Sequence, residues 1–410
     1  MLGYSEMREV LLWVQTKEAA EVHFEYWEDS KPKVVHTTDK IQTNKQEAFT
    51  AKLIADQLEP GKTYEYRLHI NGKLVELPYP MVFHTQPLWQ WRTDPPPFRI
   101  ALGSCAYTNE PKYDRPGTAY GGSNKIFQSI HAKKPNAMIW LGDNIYLREV
   151  DWFTRTGILH RYTQFRAIPE LQPLMASANH YAIWDDHDFG PNDSDRSYIH
   201  KDKTLEAFKL FWGNPTFGVN GQPGITSFFQ YHDIDFFLLD DRYYRSPNRR
   251  QTGEITLMGK NQLEWLIDAL TTSQAPFKMV AIGGQVLNPS PTFENYANRH
   301  AAERQYLLRR IEEENIKGVV FLTGDRHATE LSTYTNNAGN AVYDLTVSPL
   351  TSGAANNSAE NNLMRVEKTY VSEQNFGVLE FTGPRKERKL TMHIYDADGK
   401  QIWNRTISAE

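Results

Sequence analysis

Ala137-Met138-Ile139-Trp140-Leu141-Gly142-Asp143-Asn144-Ile145-Tyr146 runs from unbroken apolar residues into a glycine, a carboxylate and a phenol. A short apolar run that ends in a turn is the pattern of a buried strand in an α/β sheet. Glycine lets the chain turn sharply there, so that Asp143 points over the sheet rim. Three further loops repeat the pattern. Ile100-Ala101-Leu102 leads into Gly103-Ser104-Cys105-Ala106-Tyr107, Tyr181-Ala182-Ile183 into Trp184-Asp185-Asp186-His187-Asp188, and Val319-Val320-Phe321-Leu322 into Thr323-Gly324-Asp325-Arg326-His327. Open α/β sheets bind at the carboxyl ends of their strands, so the four loops are expected to meet on one rim. Clustered carboxylates and imidazoles repel or desolvate one another unless a cation holds them together. The pattern predicts a metal-dependent hydrolase. Asp325 and His327, two apart on an extended loop, face the same side. Tyr146 shares a face with Asp143 if a helix begins there.

Composition bounds the rest. The 410 residues suffice for two domains, and their apolar and charged fractions are those of an ordinary globular protein. A net charge of -5 with interspersed signs provides no broad basic surface, which argues against sequence-independent nucleic-acid binding. No apolar run is of bilayer-spanning length, so no transmembrane segment is expected. Met1 to Glu6 lack the basic and apolar regions of a signal peptide, which leaves a cytoplasmic protein or a form whose leader has been removed. The single cysteine excludes an intrachain disulfide and does not place the compartment.

Residues 1–86 read as all-β. Val22, Phe24 and Tyr26 alternate with polar neighbours, as do Tyr64, Tyr66 and Leu68, and Asn71-Gly72 supplies a two-residue hairpin turn. Leu58 to Tyr66 resembles the strand entry of fibronectin type III domains, where a corner tyrosine bonds back to the turn. A packing module without chemistry is the expectation for this segment. Pro87 and Pro95-Pro96-Pro97 mark residues 87–97 as a stiff linker, with Trp89 and Trp91 expected to pack it against the next domain. Residues 98–410 alternate apolar strands with helical patterns at 204–212, 262–270 and 303–315, and close on a hairpin turning at Asp398-Gly399. Trp265, Leu266 and Leu270 fit a core-facing stripe.

The Gly-Asp and Gly-Asp-x-His loops resemble those of the calcineurin-like metallophosphoesterase superfamily. The ordered set Gly-Ser-Cys, Gly-Asp-x-x-Tyr, Trp-Asp-Asp-His-Asp and Leu-Thr-Gly-Asp-x-His is similar to that of PhoD-type alkaline phosphatases. Leu239-Asp240-Asp241-Arg242-Tyr243-Tyr244-Arg245 and Met258-Gly259-x-x-Gln262-x-x-Trp265-Leu266 add to it. The resemblance implies the α-β-β-α sandwich of the metallophosphoesterases behind an N-terminal fibronectin type III-like β-sandwich, and a periplasmic or secreted location. It also implies two metals. Asp143 resembles the bridging carboxylate, Tyr146 the phenolate on ferric iron, Cys105 an iron-binding thiolate, and His327 the imidazole completing that shell. Calcium is implied for the second position, with Asp143, Asp186 and Asp325 as oxygen donors and zinc or manganese as alternatives. Asp186 fills a position where the wider superfamily has asparagine. The superfamily's separate ligand histidine has no counterpart, and Gln285 or Asn288 is the nearest donor.

Two such cations clamp a phosphate and activate a hydroxide for in-line attack. His187 resembles the histidine that protonates the leaving alkoxide or stabilises the charged phosphorane. Arg242 offers a bidentate pair to phosphate oxygens, or a salt bridge to Asp240 or Asp241. Asn192 offers an amide to metal or phosphate, or a turn after Pro191. Asp185 and Asp188 are expected to orient His187 or the ligands. The substrate implied is a small phosphomonoester or phosphodiester. The alternatives are a phospholipase-D-like diesterase using the same metals and a carbohydrate-binding surface protein whose acidic loops hold structural calcium. Thiolate and imidazole donors count against the last, because calcium favours oxygen shells.

Overall fold

The computed structural model describes residues 1–292 and 295–409, which form a mixed α/β fold carried by three sheets. In the largest, nine strands run in the order Gln401–Ser408, Lys389–Asp396, Asn375–Thr382, Phe98–Gly103, Ala137–Leu141, Asn179–Ile183, Leu2–Ser5, Val10–Gln15 and Thr50–Ala55. The second sheet runs Ser227–Tyr231, Ile234–Leu238, Lys278–Ala281, Val319–Thr323, Ala341–Thr346 and Glu330–Thr335. The strands that lead into the conspicuous loops are central, and each runs parallel to its neighbours, except that Phe98–Gly103 is parallel to Ala137–Leu141 and antiparallel to Asn375–Thr382. Unbroken apolar runs such as Ala137–Leu141 belong there because both of their faces are covered.

Alternation along the second sheet sorts its side chains between two cores. Phe236, Met279 and Val320 join the core shared with the first sheet, whereas Phe237, Val280 and Phe321 pack with the helices Lys260–Thr272 and Ala301–Glu313. Between the sheets Tyr181 stacks on Phe229 at 3.7 Å. On the far side of the first sheet Trp140 meets Phe165, in the helix Arg155–Arg166, at 5.5 Å, and Trp212, just past the helix Lys201–Phe211, at 5.6 Å. The layers are helices, sheet, sheet, helices. The three helices expected from periodicity are all present, each shifted by one to three residues. Leu266 and Leu270 are buried, and Trp265 is partly so. Among the described residues no helix is long and apolar enough to cross a membrane.

The third sheet is built on the antiparallel pair Glu21–Glu28 and Thr63–Ile70. Phe24, Tyr66 and Leu68 share a core with Leu12, Val14 and Leu53 from the end of the first sheet. The corner tyrosine is present, with the Glu59 N–H donating to Tyr64 Oη at 2.8 Å. Asn71 and Gly72 turn the hairpin with φ of 48° and 74°. Hydrogen bonding does not stop at residue 86. Leu2 pairs in parallel with Asn179, and Asn179 Nδ2 donates to the Gly3 carbonyl at 2.8 Å, so the N-terminal strands extend the first sheet. Residues 95–97 are held by Arg388, whose guanidinium donates to the carbonyls of Pro95 (3.2 Å) and Pro96 (2.7 Å) and pairs with Asp233 (2.9 Å). Trp89 is buried, but the expectation that Trp91 packs likewise is corrected. Trp91 is 91% exposed, in a turn where its backbone takes a left-handed φ of 60°.

Candidate metal centre

The loops carrying Cys105, Asp143, Asp186 and Asp325 leave the carboxyl ends of parallel strands in two facing sheets, and their side chains converge. Three groups of potential ligand atoms result, each with all atoms within 4.8 Å of one another. They are Cys105 with Asp143 and His327, Asp143 with Asp186 and His187, and Asp185 with Asp186 and Asp325. Asp143 belongs to the first two groups and Asp186 to the last two, so the donors form one continuous chain.

The backbone is bent to achieve this. Cys105, Asp143, Asp325 and His327 all have φ between 50° and 63°, a left-handed conformation costing about 1–3 kcal/mol at each non-glycine residue. No helix begins at Asp143, which corrects the helical route to a shared face with Tyr146; residues 142–148 are an irregular loop. Two glycines permit the close approach. A Cβ at Gly142 would meet Asp185 Cβ at 2.7 Å, and one at Gly283 would meet Asp241 Oδ2 at 2.5 Å and Asp185 Cγ at 2.7 Å.

Hydrogen bonds fix the individual donors. Asp143 Oδ1 accepts from the His187 N–H at 3.2 Å, and Asp143 Oδ2 lies 3.7 Å from Cys105 Sγ. Tyr146 Oη is 3.3 Å from His327 Nε2, and the Tyr146 and His187 rings lie 4.2 Å apart. His327 Nδ1 sits 2.7 Å from the Gly353 carbonyl and 3.0 Å from Tyr120 Oη. Ser348 Oγ donates to Cys105 Sγ at 3.2 Å and accepts from the His327 N–H at 3.0 Å. Asp185 caps the short helix Asp186–Phe189 together with Asp188.

Charge and burial pull against each other here. Burial pushes the Asp143 carboxyl well above its usual range, and the charges of Asp186, Cys105 and Asp185 add to the shift. Tyr146 is raised by burial, then by Asp143 and Cys105. Burial also opposes the Cys105 thiolate, yet the charge and hydrogen bond of His327 carry the net shift downward. His327 is the counterpart: burial opposes its charge, but Cys105 and Asp325 raise it to about 9. A cation bound by this pair would take the place of the shared proton. His187 is lowered, chiefly by burial.

The donor set fits two cations. Asn144 Oδ1 and Asp185 Oδ2 are buried acceptors with no hydrogen-bond partner, which a bound cation would satisfy. Thiol, phenol, carboxylate and imidazole around Cys105 suit iron, while the carboxylates of Asp186 and Asp325 suit calcium. His187 beside Asp186 suits zinc or manganese equally.

Arg242, read as a phosphate ligand or a salt-bridge partner of Asp240 or Asp241, is 1% exposed, and its guanidinium bonds to Asp185, reaches the Ser194 carbonyl at 3.3 Å and forms a longer ion pair with Asp241 at 3.9 Å. Asp240 accepts the Arg242 backbone N–H. Gln285 and Asn288 are tied into a separate network, with Gln285 Nε2 donating to Glu330 (2.7 Å) and Thr346 (2.9 Å) and Asn288 Nδ2 to Gln285 (2.8 Å). Asn192 is exposed in the turn after the helix Asp186–Phe189. Sequence reasoning missed Tyr120 and Ser348, whose loops carry no ligand pattern, and underrated Asp185, whose carboxylate follows a strand as Asp143 does.

The family model described as PhoD-like phosphatase matches residues 100–386. Alkaline phosphatase D of Bacillus subtilis (strain 168) is 24% identical over 331 residues, covering 69% of this chain and 54% of that protein, so the chain spans about half of the relative's length. Among solved structures, one of PhoD superposes with a TM-score of 0.79 at 18% identity, covering 100% of this chain and 91% of the other. Purple acid phosphatase PPD1 from yellow lupin (Lupinus luteus) seeds gives 0.71 at 13% identity, covering 99% and 73%. At these identities the structural likenesses describe the fold.

Proposed function

Because the chain belongs to the PhoD-like phosphatase family, we propose that it is a metal-dependent phosphoesterase hydrolysing phosphomonoesters, phosphodiesters or both. The observation that carries this reading is Asp143, shared between two groups of ligand atoms. Cys105, Asp143, Tyr146 and His327 would hold a ferric ion. Asp143, Asp186 and Asp325, joined by Asp185, would hold calcium, with zinc or manganese as alternatives. When bound, two cations would polarise the phosphate oxygens, lower the pKa of the attacking water and stabilise the leaving oxygen.

The chain's own residues prepare that chemistry. Tyr120 and the Gly353 carbonyl orient the His327 ring so that Nε2 turns toward Tyr146. Arg242 partly neutralises Asp185 and leaves that carboxylate's second oxygen without a hydrogen bond. His187, kept neutral near pH 7 by burial, offers a ring N–H to a phosphate oxygen as negative charge builds. Asn192, exposed beside this loop, is a candidate amide donor to substrate. Residues 1–86 act as a fibronectin type III-like packing module, and a periplasmic or secreted location follows from the family resemblance. A phospholipase-D-like diesterase would use the same residues on a different ester. An oxygen-only calcium site has little use for the thiol and imidazoles gathered here.

Hydrolysis of nitrophenyl phosphate and bis(nitrophenyl) phosphate, before and after chelation, tests the reading. Activity on at least one ester, lost on chelation and restored by metal, is expected. Hydrolysis that survives complete metal removal contradicts it.

A further inference from the structure

A second cluster of ligand-type side chains lies outside the centre, on the outer face of the N-terminal sheet. His23 and His69 are direct cross-strand partners, and Glu25, two residues along from His23, opposes Arg67. Val22, Phe24, Tyr66 and Leu68 point into the core, so the histidines and Glu25 share the opposite face. The imidazoles stack with centroids 4.8 Å apart and planes inclined by 15°. One ligand atom from each of His23, Glu25 and His69 falls within 4.8 Å of the other two.

We propose that His23, His69 and Glu25 form a binding site for a divalent transition cation of the zinc class, bridging the two central strands of this sheet. Two imidazoles and one carboxylate are a zinc donor set, and zinc draws such atoms to about 2.0–2.2 Å from a common centre. Binding would require the side chains to rotate so that the observed spread closes around the cation. The ring nitrogens give the stronger argument. His23 is only 7% exposed, yet its Nδ1 has no hydrogen-bond partner. His69 Nε2 is already drawn to Glu25 Oε2, 3.3 Å away, so ring nitrogen and carboxylate converge on one point beside His23. A buried ring nitrogen left unsatisfied is unfavourable, and a cation held by His23 Nδ1 would relieve it. Arg67 Nε shares the same Glu25 oxygen at 2.6 Å, and Lys40 is engaged by Glu21 at 2.9 Å. A bound cation must therefore compete with Arg67 for one oxygen or use Glu25 Oε1.

Equilibrium dialysis of the purified protein against zinc chloride, with metal analysis per chain, tests the site. Zinc taken up at the catalytic centre is common to all samples, so the difference between wild type and His69→Gln or Glu25→Gln isolates this cluster. Each variant is expected to lose one zinc equivalent, or to bind it at least about tenfold more weakly, with nitrophenyl phosphate turnover unchanged. Both side chains lie off the core face, so either variant alone decides the question. Zinc content and affinity equal to wild type in a folded variant would overturn the proposal.

Discussion

His187 shows how a neighbour in sequence can differ in role from its environment's first suggestion. The adjacent Asp186 marks the loop as a ligand loop, whereas burial lowers the imidazole's pKa and disfavours its protonated form. His187→Ala is therefore expected to lower kcat by about 10²–10³-fold, the scale of a lost transition-state hydrogen-bond donor. The loss should be similar for nitrophenyl and alkyl phosphates. A much larger loss for the alkyl ester would mean that His187 protonates the leaving group instead. Tyr146 carries a spectroscopic prediction. If its phenolate binds ferric iron, the protein is coloured by charge transfer, and Tyr146→Phe removes or shifts the visible band. A colourless active protein holding stoichiometric zinc and no iron would contradict that assignment. Ligand candidates such as Asp143 and His327 were legible because each follows an apolar strand and a glycine within a few residues. The pairing of Arg242 with Asp185 was not, since the two lie 57 residues apart and meet only when both sheets are assembled.

The elements that hold these residues were legible where periodicity is strong. The helix Lys260–Thr272 and the hairpin at Asn71-Gly72 stand where the pattern put them. What the pattern could not supply is long-range pairing. Leu2 bonds to the strand Asn179–Ile183, and no local signal links positions so far apart. Arg388 is a similar case. It ties residues 95–97 to Asp233 across three segments and is fully buried. Arg388→Ala would leave Asp233 buried without its cation and should cost about 3–5 kcal/mol of stability. Denaturant unfolding measures this, and a cost below about 1 kcal/mol would mean that Asp233 is neutralised by other means. The loop at Gly283 is expected to be as demanding. Gly283→Ala would drive a methyl group against the Asp185 and Asp241 carboxylates, so metal uptake should fall along with turnover.

Across the whole molecule, two sheets lean together at one rim, and the centre exists only when both are in place. Metal binding and global stability are therefore coupled. A cation present at about 100 times its dissociation constant adds about 2.7 kcal/mol, so chelation should lower the thermal midpoint. An unchanged midpoint would separate the centre from the fold. A two-cation centre requires that Asp143 serve both cations at once. Its direct measurement is the metal content of Asp143→Asn beside wild type, with kcat and circular dichroism on the same preparations. A folded variant depleted of both metals, with turnover severely reduced, is expected. A variant that keeps its metals and near-wild-type turnover would contradict it.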